Sequence, residues 1–273
     1  MPRPTPEDPG AQRGNRAKAF RAFRARLSAT RKRLLEMVKS LPSTYVTNEY
    51  AYPTVRPQTD VTNEVEQIIW GEWQIDEEDE TFAWWLLPYI ELPFRQGALQ
   101  QMQELNRLLQ ALDTVTGPIN PDTYVLSRKY RDALQIKLTE TRLAVKTMGQ
   151  RTAADVSRTI LEGIQQGLSN GQIAANVGKR FDVAKSSAKR LVDTEVSKAY
   201  NDSRLRAVQV ARDETGVNLL VQHISALLPT TRAHHAARHK KWYTPEAQRE
   251  WWDEGSNRIN CYCVIRGGIS EQE

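Results

Sequence analysis

The sequence predicts a mainly α-helical protein with a long-helix body, a small C-terminal α+β module and a basic helical N-terminal arm. Three observations carry that expectation. Apolar residues recur at helical spacing in long runs between residues 97 and 215. After residue 216 the pattern changes to short apolar, β-branched runs divided by a proline-started helix. Charge is segregated: residues 1–40 hold eleven Lys/Arg against three acids, or +8, in a chain of net +5, so the remainder carries −3. At 273 residues, 40% apolar and 26% charged, the chain has the composition of a globular protein. A collagen, a mucin-like stalk and a wholly disordered chain are excluded. The longest clean apolar run, Phe82 to Leu87, is far short of the roughly 20 residues a membrane span needs. No apolar leader segment follows Met1, and the two cysteines are one residue apart, so a reducing, cytoplasmic site of folding is expected.

The elements follow in order. Residues 1–40 read as the arm, with 1–14 Pro/Gly/Arg-rich and disordered and 15–40 helical on Phe20, Phe23, Leu27, Leu34, Leu35 and Val38. Residues 41–96 read as an irregular, extended connector with short helices. Pro42, Pro53 and Pro57 disfavour helix early, and Asp60 is placed to cap a helix carrying Val65, Ile68 and Ile69. Five acids, Asp76 to Glu80, precede the aromatic run from Phe82, which is read as core rather than as a partner surface. Residues 97–215 form the helical body. Its first stripe is Leu99, Met102, Leu105, Leu108, Leu109 and Leu112, ending before Gly117-Pro118. Next come a helix capped by Asp122, another over Val156 to Leu168, a cap at Ser169, and a last long helix from Val183 to Arg212. Residues 216–273 form the module: a strand over Val217–Ile224, a short helix over Thr231–Lys241, a helix started by Thr244-Pro245, and a closing strand over Ile259–Arg266.

The general signatures of phosphate-binding loops, dinucleotide folds, zinc proteases and serine hydrolases do not occur in the chain. The residues with ligand chemistry are His234, His235 and His239, followed by Cys261 and Cys263. Two imidazoles and two thiolates make a tetrahedral zinc set, so His235, His239, Cys261 and Cys263 are candidate metal ligands. A helix would put His235 and His239 on one face, and a strand would aim both sulfurs the same way. The alternative is cysteines packed in a small core beside histidines on a basic surface helix. A catalytic metal would also need a base, for which Asp253 and Glu254 are the nearby candidates. The basic arm offers Arg13, Arg16, Lys18, Arg21, Arg24, Arg26, Arg31, Lys32 and Arg33 to nucleic acid or to an acidic protein partner, or presents them simply as a solvated helix face.

Two stretches carry a family resemblance. QGLSNGQIAANVGKRF (166–181) runs into AKRLVDTEVSKAYNDSRLRAV (188–208), and TRAHHAARHKKWYT (231–244) is followed by INCYCVI (259–265). Together they resemble the phage Mu F-like minor head proteins, also called phage head morphogenesis proteins. The matching positions are Thr194, Glu195, Asn201, Arg204, Thr231, Arg232, His235, Asn260, Cys261 and Cys263. Asp193 stands where the family often has arginine and Lys240 where it has glycine. Leu228 or Pro229 replaces an acid, and the upstream C-x-x-C of many members is missing. The resemblance covers about 166–266. It implies a structural, non-enzymatic virion component: a low-copy multimer at the portal inside the head, assembled in the host cytoplasm. The implied partners are the portal protein, the major capsid or scaffolding protein, and packaged double-stranded DNA. The rivals are a phage-delivered nuclease-like effector acting through the His/Cys residues and a stand-alone, non-specific DNA-binding protein.

Overall fold

The computed structural model describes residues 4–6, 8–46, 49–52, 58–75, 85–111 and 119–269. Among them the chain is mainly α. The helices are α1 (Arg13–Lys39), α2 (Gln58–Trp73), α3 (Leu87–Ala111), α4 (Pro121–Leu126), α5 (Arg128–Gln165), α6 (Asn170–Thr215), α7 (Ala233–Ala236) and α8 (Pro245–Asp253). The strands are β1 (Thr44–Val46), β2 (Glu49–Ala51), β3 (Leu220–Ile224), β4 (Trp242–Tyr243) and β5 (Val264–Gly268). β1 and β2 pair antiparallel, and the second sheet has the order β4-β3-β5, also antiparallel. The acidic run Asp76–Glu80, the first part of the aromatic run and Gly117-Pro118 lie outside the described residues.

Several boundaries differ from the sequence reading, each for a local reason. Asn120, not Asp122, caps α4, its side chain accepting from the backbone N–H groups of Asp122 and Thr123. Ser127 then starts α5 by accepting from Tyr130 N at 3.2 Å. From there one helix runs to Gln165, where the sequence suggested two. Ser169 does cap the next helix. Gln172 N donates to Ser169 Oγ while Ser169 N donates to Gln172 Oε1, a reciprocal capping box. α6 then continues unbroken to Thr215 rather than restarting near Val183. Thr244 caps α8 as expected, accepting from Ala247 N.

The chain packs as two compact units, each drawn from several segments. The first takes residues 1–19, 87–140 and 192–273, and the second 20–86 and 141–191. The core of the first joins Leu105 and Leu109 of α3, Leu205, Val208 and Ala211 of α6, and Val221, Trp252 and Ile265 of the C-terminal sheet and helix. α3 and α6 approach so closely at Gly97 that an added Cβ would lie 2.3 Å from the carbonyl oxygen of Tyr200. Glycine is required there by the close approach of two backbones.

The second unit centres on an aromatic cluster. Phe23 of α1 meets Trp73 and Trp85 edge-on at 5.1 and 5.2 Å. Trp73 Nε1 donates to Thr30 Oγ1, and Trp85 Nε1 donates to the Trp73 carbonyl. Leu86 is fully buried. The described end of the aromatic run is thus packed in the interior.

Candidate functional site

The C-terminal sheet is fastened to α6 by the residues that carry the sequence motif. Asp193, Ser197, Asn201 and Arg204 are three or four positions apart, which puts them on one helix face. Thr194 Oγ1 accepts from Asn260 N at 2.9 Å, where Asn260 holds a left-handed backbone (φ 51°) that asparagine tolerates. Asp193 Oδ2 accepts from Tyr262 OH at 2.9 Å. Asn201 Nδ2 donates to the Cys263 carbonyl at 3.0 Å, and Arg204 Nε donates to the Ile265 carbonyl at 2.7 Å. Arg204 also pairs with Glu104 at 2.6 Å and donates to Tyr200 OH. Asp202 pairs with Arg258, which reaches Asp253 as well.

Three backbone groups of residues 260–265, the Asn260 N–H and the Cys263 and Ile265 carbonyls, are thereby bonded by side chains of α6. A buried backbone amide or carbonyl needs a partner, and β5 is an edge strand paired only with β3, so α6 side chains serve the groups that β3 does not. Glu195 faces elsewhere and forms a buried ion pair with Lys137 of α5 at 2.8 Å, with Lys198 at 3.7 Å. Burial alone would lower the Lys137 pKa. Glu195, Asp202 and Glu140 more than reverse this and hold it above the ordinary lysine value.

The second cluster lies on the inner side of the sheet. His235 is buried, with Nδ1 3.4 Å from Cys263 Sγ and 3.4 Å from Cys261 Sγ. His223 of β3 joins them: it, His235 and Cys263 bring one ligand atom each within 4.8 Å of one another. Cys263 N donates to Cys261 Sγ at 3.4 Å, and interaction with Cys261, assisted by His223 and His235, holds the Cys263 thiol below the ordinary cysteine value against the cost of burial. Cys261 is pushed up by its interaction with Cys263 and by burial. A cavity of about 140 Å³ opens onto Arg232, His235, Cys261, Tyr262 and Cys263.

Arg232 closes the loops around the cluster. Its guanidinium donates to the carbonyls of Ser256, Asn257 and Ile259, and Nη1 lies 3.0 Å from His235 Nε2. Thr231 lines the same cavity.

Not every candidate ligand sits here. His239 lies beyond the end of α7, because the helix stops at Ala236 and the chain turns. Its Nδ1 accepts from Ser225 N at 3.1 Å. Cys261 and Cys263 precede β5 in an irregular segment instead of lying on a strand. Asp253 and Glu254 are exposed, and Asp253 is paired with Arg258. His223 was not anticipated. The available signal was its place beside Val221 on the buried face of an alternating strand.

The basic positions of α1 fall into two groups. Arg16 is buried, bonded to Asp8 at 2.9 Å and stacked on the Tyr262 ring at 4.3 Å. Arg26 covers the Trp85 ring and donates to the Glu72 carbonyl, and Arg33 pairs with Glu72. Arg13, Lys18, Arg21, Arg24, Arg31 and Lys32 are exposed. At about 100° per residue they spread over an arc of about 140°, on which Arg13, Arg24 and Arg31 border the buried stripe of Phe23, Leu27, Leu34 and Val38 and Lys18, Arg21 and Lys32 lie farther from it. None of the ion pairs among the described residues uses Arg21, Arg24 or Arg31.

No helix among the described residues is long and apolar enough to cross a membrane. Residues 154–266 match the family model described as Phage Mu protein F like protein. No curated protein and no solved structure matches the chain.

Proposed function

We propose, from the Mu F-like character of residues 154–266, that the chain is a structural minor head protein of a tailed bacteriophage. The family suggests head morphogenesis, and the finer role proposed is a low-copy ring mounted on the portal inside the head. There it assists assembly, DNA packaging or genome delivery. The supporting observation is that the motif residues Thr194, Asn201, Arg204, Arg232 and Asn260 are engaged in holding the chain's own backbone. A motif of that kind maintains a shape that other head proteins dock on. The division into a basic arm (1–40), connector (41–96), body (97–215) and module (216–273) is kept as a functional division: arm to DNA or capsid, body to portal. Quantitative mass spectrometry of virions and of empty procapsids tests the reading. A fixed low ratio to the portal protein in both is expected, and absence from both overturns it.

Packaged duplex DNA is the proposed ligand of the exposed α1 face. Phosphates are recognised there by charge without sequence preference. Reversing three charges together (Arg21→Glu, Arg24→Glu, Arg31→Glu) should lower the affinity of the full chain for duplex DNA. Each lost phosphate contact reduces the salt slope by about 0.9. Unchanged affinity and slope would move the face to an acidic protein partner.

A further inference from the structure

We infer that His223, His235, Cys261 and Cys263 form a closed structural zinc site that ties β3, α7 and the approach to β5 into one module. The inference is independent of the head role.

Distance supports it first. Zinc at about 2.3 Å from sulfur and about 2.05 Å from nitrogen, with tetrahedral angles, places S and N about 3.6 Å apart. His235 Nδ1 lies 3.4 Å from each sulfur. His223 is within 4.8 Å of the His235 and Cys263 donors. Cys261 Sγ, outside that group of three but 3.4 Å from His235 Nδ1, is the proposed fourth ligand, drawn in by metal binding.

Hydrogen bonding supports it independently. His223 is fully buried, and its Nε2 has no hydrogen-bond partner among the described residues. Its Nδ1 lies 3.3 Å from Gln248 Oε1, itself buried. With the proton on Nδ1 donated to that amide oxygen, the Nε2 lone pair is left for a ligand. A metal-bound histidine is oriented in this way, its second ring nitrogen donating to an outer acceptor. An unsatisfied buried imidazole nitrogen is otherwise costly.

His235 would ligate through Nδ1 and carry its proton on Nε2. Because Arg232 Nη1 stands 3.0 Å from Nε2 and can only donate, metal binding requires it to turn away from the ring and give both hydrogens to the Ser256 and Asn257 carbonyls, which are within reach. The chemistry of the donors selects the metal: two thiolates and two imidazoles in a tetrahedron suit zinc and not magnesium or calcium. Four protein ligands leave no position for water, so the site holds structure and performs no hydrolysis. The cavity of about 140 Å³ beside Cys261 and His235 is the entry path.

The test uses the full chain, purified under reducing conditions and assayed by elemental mass spectrometry after dialysis. About one zinc per chain is expected. His223→Ala and Cys263→Ser should each weaken retention more than about 100-fold, beyond the loss typical of an outer-shell change. His239→Ala should retain the metal fully. Cobalt added to the demetallated chain should give tetrahedral visible bands and a thiolate-to-cobalt charge-transfer band. His223→Cys should restore binding with a stronger charge-transfer band, which separates loss of a ligand from failure to fold. Wild-type chain with no zinc and no cobalt charge-transfer band would overturn the inference. So would undiminished zinc in His223→Ala.

Discussion

Replacing Arg204 with methionine is expected to destabilise the protein by about 3 kcal/mol and to release the C-terminal strand. Breaking a buried pair by removing one partner typically costs about 3–5 kcal/mol, and Glu104, being partly exposed, can recover some solvation. Arg204 is buried with 3% of its surface exposed, yet it serves three groups: the Ile265 carbonyl, Glu104 and Tyr200. Its charge is not in question, since the groups around it raise its pKa above the ordinary arginine value against the cost of burial. Methionine matches much of the volume but leaves a buried carbonyl without a donor. Urea unfolding should show the loss in midpoint, and hydrogen exchange should show β5 amides opening at a lower free energy than those of α6. A loss below about 1 kcal/mol with β5 still protected would mean that strand pairing with β3 alone holds the sheet. Arg204→Lys should recover only part, because an ammonium cannot reach all three groups in the guanidinium's planar geometry.

The second large effect concerns Lys137. Lys137→Met should cost about 3 kcal/mol, because it leaves Glu195 buried without its principal counter-charge. Lys198 at 3.7 Å keeps the loss toward the low end of the range. The sign with pH follows from the raised pKa of Lys137. Its contribution is fully present below the unfolded lysine value of about 10.4 and is lost as pH rises through the higher folded value. Tyr130 and Tyr262, each pushed up to about 12 chiefly by burial, lose stability in the same direction above about pH 10. Urea titrations between pH 8 and 11 should therefore show falling stability in the wild type and a shallower fall in Lys137→Met. Parallel curves would mean that the lysine titrates alike in the folded and unfolded chain and that its pKa is not raised by Glu195.

What the sequence determined by itself was whatever depends on near neighbours in the chain. Helical spacing marked α1, α3 and α6, a cap and a proline marked the start of α8, and segregated charge marked α1 as the basic helix. These rest on interactions within a few residues, where spacing is geometry. The residues of the metal cluster were half legible for the same reason. Cys261, Cys263 and His235 stood out by type, but the choice between His239 and His223 did not. A four-residue interval means a shared face only inside a helix, and the chain leaves α7 at Ala236 before reaching His239. His223 reaches the sulfurs through β3 pairing with β5, with His223 opposite Ile265, a contact 42 residues away in sequence.

Only the tertiary structure decided which basic side chains of α1 are exposed and which, like Arg16 on Tyr262, are held inside. It alone joined Lys137 to Glu195 and Arg204 to the Ile265 carbonyl. Buried charges and buried carbonyls are satisfied by whatever partner the packing brings, and the identity of that partner is not written in the residues on either side of them.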